Sequence, residues 1–188
     1  MVRYQPLDAF YCVRAEYTLN DAGDEVEVFN SARNGGVDGD PTNAQGMRLR
    51  ALVEDKDVSN SKLLVGPTFL PRFTYGPYWI VAVSPDTPDP ELGYDWAIVS
   101  GGAPTRLTDQ ENGECFFVSS HCLPIRTLCF SGLCSTGSGT NDSGLWLFTR
   151  EPIASAEVVE LMRTTARELG FDTSVLQPVT QEGCEYPE

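Results

Sequence analysis

The sequence predicts an all-β barrel with one α-helix near its C-terminus, and three observations carry that prediction. Apolar and polar residues alternate in short runs through the first hundred positions, the period of strands half-buried on a sheet. Two aromatic and β-branched runs, Tyr78–Val83 (YWIVAV) and Tyr94–Val99 (YDWAIV), flank a connection holding Pro85, Asp86, Pro88, Asp89, Pro90 and Gly93, so the chain must reverse between them. After Pro152 the period changes: Val158, Met162, Ala166 and Leu169 recur at helical spacing. There is no alternation of strands with helices that would make a parallel sheet, and no internal repeat.

Each element has its own signature. Val13, Ala15, Tyr17 and Leu19 alternate with Arg14, Glu16 and Thr18, and the turn residues Asn20–Gly23 lead into Val26 and Val28 alternating with Glu25 and Glu27. The glycine-rich stretch Asn34–Gly46 has no period and is expected to be a loop. Met47, Leu49, Ala51 and Val53 form a third strand, and Leu63–Val65 begins a fourth after the polar turn Asp55–Asn60. Pro67 and Pro71 predict an edge, a bulge or a break. In the central hairpin Trp79, Val81 and Val83 point one way and Tyr78, Ile80 and Ala82 the other, so both faces are apolar and both need cover. Leu145, Leu147 and Thr149 alternate with Trp146, Phe148 and Arg150 in a last strand. The helix follows, with Ser155 placed to cap its start and Gly170 just past its end, free to pack outside the sheet.

At 188 residues, 41% hydrophobic, the chain is read as one domain, 1–188, with a cysteine-rich loop insertion at 105–143. A formal charge of -14 repels phosphate backbones, which excludes nucleic acid as a partner. No apolar run approaches the ~20 residues needed to span a bilayer, and Met1–Phe10 lacks the apolar core of a signal peptide. Cys12, Cys115, Cys122, Cys129, Cys134 and Cys184 are even in number, which suggests three disulfides and an oxidising compartment. Buried thiols in a cytosolic protein are the alternative. The residues alone leave the pairing open.

The colinear order of these pieces resembles a lipocalin, in the branch of bacterial outer-membrane lipocalins, apolipoprotein D and plastid lipocalins. Cys12–Leu19 (CVRAEYTL) resembles that branch's second strand. Lys62–Val65 through Gly76–Val81 resembles the fifth and sixth strands with their proline-rich connection, and Tyr94 with Ala97–Val99 the seventh. Leu145–Pro152 (LWLFTREP) resembles the eighth, and Glu168–Thr173 the helix exit. The resemblance implies an eight-stranded up-and-down antiparallel lipocalin-type barrel with its helix packed outside. It also implies that the tail Gln181–Cys184 staples back to the second strand through Cys12, which leaves the insertion's four cysteines for two local bridges. The family's opening Gly-x-Trp strand is missing before Met1–Tyr4, so the first strand is expected to be truncated and Arg150 to lack the tryptophan on which its family counterpart packs.

A barrel lined with aromatic and branched residues implies a site for a small apolar molecule, held by burial more than by directed bonds. Tyr17, Phe29, Leu49, Phe69, Phe73, Trp79 and Trp96 are the candidate lining residues, although residues of that kind can equally face outward beneath a helix or loops. His121, the only histidine, sits in the insertion without the surroundings of a catalytic triad. The cysteine spacings there lack a CxxC pair, which favours disulfides over a metal. Asp109, Glu111 and Glu114 read as a solvated face.

The reading is therefore a carrier without cofactor or enzymatic activity, holding a lipid, fatty acid, lipid peroxidation product or carotenoid-type pigment. Its expected home is an oxidising extracytoplasmic space such as the thylakoid lumen, the periplasm or the secreted environment. One alternative is a structural subunit docking a larger, photosynthetic membrane complex through the apolar residues Phe116, Phe117, Val118, Leu128, Phe130 and Leu133 of the insertion. The other is a xanthophyll de-epoxidase-like enzyme, disfavoured because no pair of carboxylates stands out on inward positions.

Overall fold

The computed structural model describes residues 2–4, 10–42, 48–55, 57–85, 93–102, 144–174 and 176–186. The insertion, with Cys115, Cys122, Cys129, Cys134 and His121, lies outside the described residues. Among the described residues, ten strands form one antiparallel sheet: β1 (Val2–Tyr4), β2 (Phe10–Leu19), β3 (Glu25–Asn34), β4 (Asp40–Pro41), β5 (Arg48–Asp55), β6 (Ser59–Pro67), β7 (Gly76–Ser84), β8 (Trp96–Ser100), β9 (Leu145–Thr149) and β10 (Gln177–Pro178). A single 3₁₀ turn, Arg72–Thr74, interrupts the β6–β7 connection, and the helix α1 spans Ala156–Glu168.

The order across the sheet is β10-β1-β9-β8-β7-β6-β5-β3-β2, with β4 paired to β3. From β2 to β9 the long strands follow one another as an up-and-down meander, and the short β1 returns to pair with β9. Where the connection is short and turn-rich, as between β2 and β3, consecutive strands pair directly. Asn20 shows how: its side-chain oxygen accepts from the backbone N–H groups of Asp24 and Glu25, shaping the β2–β3 turn.

The two ends of this path are tied together by the tail after β10. The Cys12 N–H donates to the Thr180 carbonyl at 3.0 Å, Gln181 Nε2 donates to the Val13 carbonyl at 3.0 Å, and Cys12 and Cys184 form a disulfide across 172 residues of sequence. Cys12 adopts a positive φ of 53°, and the β2–β3 register shifts between Tyr11 and Arg14, so a bulge turns the cysteine toward the tail. A disulfide of this kind forms and persists in an oxidising environment.

Helix α1 matches its sequence signals position by position. The Ser155 side chain accepts from the Val158 N–H, and Gly170 has a φ of 91°. Phe171 N–H donates to the Ala166 carbonyl and Gly170 N–H to that of Arg167, closing the helix with a Schellman motif. Met162 and Ala166 are fully buried against Trp96, Ile98, Leu145, Leu147 and Leu176, whereas Leu169, at the frayed end of the same stripe, is exposed. This cluster lies between the helix and one side of the sheet, and it is the best-sealed core among the described residues.

Several elements depart from expectation. The stretch expected to be a loop after Asn34 contains β4, which lengthens the β3 ladder through Arg33 and Asn34. Tyr94 and Asp95 precede β8 instead of opening it, because their carbonyls are taken by Arg150: Nε donates to Tyr94 at 2.7 Å and the backbone N–H to Asp95 at 2.9 Å. Arg150 is thus partnered by backbone oxygen. Pro67 closes β6 opposite Leu49, at the strand end where its missing N–H costs no ladder bond.

Candidate functional site

The register divides every strand into two faces. Tyr17 pairs with Val28, Val28 with Leu49, Ala51 with Val65, Val53 with Leu63, and Leu63 with Tyr78, so these side chains share one face. Ile80 opposite Val99, and Val99 opposite Trp146, extend that face to β9. On the other face stand Glu25, Glu27, Phe29, Arg48, Arg50, Lys62 and Trp79, continuing through Ile98 and Leu147 beneath the helix.

The Tyr17–Tyr78 contact shows which face is concave. Their strands are four steps apart in the sheet order, and neighbouring strands lie ~4.8 Å apart, so a flat sheet would hold them about 19 Å from each other. Their ring centroids are 6.5 Å apart and their hydroxyls share a hydrogen bond. The sheet therefore curls until β2 faces β7 across an interior, and the face carrying Tyr17 and Tyr78 is the inner one. Tyr78 also lies 6.1 Å from Trp146, centroid to centroid, which makes a Tyr17–Tyr78–Trp146 aromatic row across that interior. Gly144 makes room for it: a Cβ there would come within 2.3 Å of the Trp146 ring.

This inner face is apolar and only partly sealed. Val28, Ala51 and Leu63 are buried, but Val26, Leu49, Val53, Val65, Tyr78 and Ile80 around them are half-buried, as is every position of β7. Side chains that filled their own barrel would be closed off from solvent. Burial pushes the Tyr78 hydroxyl well above the usual phenol value of 10.0, and the hydrogen bond with Tyr17 adds to the shift. Tyr17 is raised for the same first reason, with the hydrogen bond pulling the other way, while 47% of the residue stays exposed. Both phenols are neutral at physiological pH.

The outer face is chemically different. On β2, β3 and β5 it carries the ion pairs Arg14–Glu16 at 3.3 Å, Arg50–Glu25 at 2.9 Å, and Arg48–Glu27. A cleft of about 300 Å³ lies on this side, between the β2–β3 pair and the tail, lined by Arg14, Glu16, Phe29, Arg33, Glu185 and Tyr186. Its mixed charges suit no apolar guest. Among the described residues, no group of three or more His, Cys, Asp and Glu side chains is placed to hold a metal.

Of the seven residues singled out in the sequence, Tyr17 and Leu49 stand on the inner face. Phe29 and Trp79 face outward, each with a cation over its ring: Arg48 at 5.4 Å and Lys62 at 4.4 Å. Trp96 packs under α1, and Phe69 and Phe73 are exposed in the β6–β7 connection. For Phe29, Trp79 and Trp96 the outward placement has a common cause: an aromatic residue satisfies a lining site and a packing site equally, and only register separates the two. Tyr78, Ile80, Val28 and Trp146, not singled out in the sequence, also stand on the inner face. A signal for Val28 was present, since residues on the parity of Glu25 and Glu27 face water, which puts Phe29 outside and Val28 inside.

No protein-family model and no curated protein sequence matches the chain. Solved structures match its fold. Apocrustacyanin C1 superposes with a TM-score of 0.56 at 11% identity, covering 97% of this chain and 74% of that one. Lobster apocrustacyanin A1 and apocrustacyanin C2 each give 0.54 at 12% identity, covering 97% of this chain and 77% of theirs. At such identity the likeness is one of fold: an antiparallel lipocalin-type barrel with one helix. Among the described residues no helix is long and apolar enough to cross a membrane.

Proposed function

We propose that this chain is a carrier of a small hydrophobic molecule, held on the inner face of the barrel against the Tyr17–Tyr78–Trp146 row. The observation that carries the proposal is an inner face whose apolar side chains Val26, Leu49, Val53, Val65, Tyr78 and Ile80 are left half-open, while the tighter packing lies outside it under α1. Covering apolar surface there is worth ~25 cal/mol per Å², so an elongated guest gains affinity from length alone. Lipids, fatty acids, lipid peroxidation products and carotenoid-type pigments are the classes of that shape. The solved structures of like fold are apocrustacyanins, described as apoproteins, which agrees with a carried group.

The Cys12–Cys184 bridge supports an oxidising extracytoplasmic setting, such as an organelle lumen, a periplasm or the secreted space. The CVRAEYTL strand and its stapling tail support a place in the bacterial, apolipoprotein D and plastid lipocalin branch. The test is tryptophan fluorescence under titration with a panel of lipids and carotenoids. Quenching should be lost in Trp146→Phe and kept in Trp79→Phe. A panel that leaves the wild-type emission unchanged overturns the proposal.

A further inference from the structure

Resting on that carrier reading, we infer that the Tyr17–Tyr78 hydroxyl pair is the polar anchor of the site and selects a guest bearing a neutral hydrogen-bond acceptor, a carbonyl or ester oxygen. Two phenols bring two O–H donors, and the bond between them uses one. Among the hydrogen bonds of the described residues none gives the second O–H an acceptor, and the face around it is mostly Val, Leu, Ile, Ala and Trp, with Asn30, opposite Ala15, the polar side chain of the same parity on β3 nearest to Val28. A donor left unmade in such surroundings is expensive, whereas spare lone pairs on oxygen are not, so the vacancy calls for an acceptor.

Charge decides which acceptor. The inward positions around the pair, Val28, Leu49, Ala51, Leu63, Val65 and Ile80, carry no ionised side chain, and the cations Arg14, Arg48, Arg50 and Lys62 stand on the opposite face. A carboxylate entering this face would lose its hydration without gaining a described counter-ion, while a ketone or ester oxygen gives up little. Position points the same way. The pair crosses the interior from β2 to β7, beside Trp146, so one end group of a long guest can meet the hydroxyl while its apolar chain follows the inner strands.

The experiment uses three probes of equal chain length, an alkane, a methyl ketone and a carboxylic acid held above its own pKa, titrated by Trp146 quenching. In the wild type the ketone should bind roughly three- to tenfold more tightly than the alkane, the size of one net hydrogen bond, and the carboxylate should bind more weakly than the ketone. In Tyr17→Phe/Tyr78→Phe the ketone should fall to the alkane's affinity, with the alkane itself unchanged, which also shows that the double variant keeps its fold. Each single variant retains one hydroxyl and should fall between. A ketone preference surviving in the double variant, or a carboxylate that binds tightest, overturns the inference and leaves the carrier reading standing. No binding of any probe overturns both.

Discussion

The two walls of the barrel share an inner face and differ on the outer one. Along β2, β3, β5 and β6 the outward positions include Glu16, paired with Arg14 on its own strand, and Glu25, Glu27, Arg48, Arg50 and Lys62, paired across strands. Along β8 and β9 they are Trp96, Ile98, Leu145 and Leu147, sealed beneath Met162 and Ala166 of α1. The difference separates the sealed packing from the half-open face in space. The tighter packing lies outside the barrel under the helix, and most of the inner side chains stay half-open, as the proposed carrier role requires.

The seam between the walls offers the largest test. Replacing both cysteines, Cys12→Ala/Cys184→Ala, frees the tail that ties β2 to the β1–β10 edge, and a loop this long makes the expected loss about 2–5 kcal/mol in denaturant unfolding. A loss below ~1 kcal/mol would mean that Gln181 and the Cys12–Thr180 backbone bond hold the seam unaided.

A loss of comparable size separates the walls themselves. Leu147→Ala should cost about 2–5 kcal/mol, because its cavity opens in sealed packing, while Arg48→Ala on the other wall should cost no more than ~1 kcal/mol and less in high salt. Equal losses at the two positions would remove the contrast between the walls.

The smallest effect under ordinary conditions concerns the inner face both walls share. Tyr78 is raised in the folded state above its unfolded value of 10.0, so above that pH the unfolded chain releases a proton that the folded one keeps. The stability tied to its neutral form is complete below pH 10.0 and is lost as pH climbs from there toward the folded-state value. Alkaline unfolding should therefore begin near that pH, with a gentler slope in Tyr78→Phe. Identical slopes would place the Tyr78 hydroxyl in water.

Helix α1 was legible almost to the residue, because Ser155, the four-residue recurrence and Gly170 are all local signals. Strand positions were legible too, wherever polar and apolar residues alternate. Orientation was not. Across Tyr78–Val83 both parities are apolar, and the register shift between Ile80 and Ala82 breaks the count midway, so Trp79 read as a lining residue and Tyr78 did not. Only the charged alternation on β3 and β5 carried orientation, and it applied to Phe29 as well.

By itself the sequence determined the kind and order of the longer elements, the ends of the helix, the acidic surface and the apolar character of the strands. Those depend on neighbours a few residues apart, within reach of period and capping. The tertiary structure alone decided which apolar parity turns inward, that Tyr17 and Tyr78 meet across 61 positions, and how tail and bulge close the seam. Period-two patterning is symmetric about the strand, so a strand apolar on both sides has no inside until the whole sheet curls and its edges are joined.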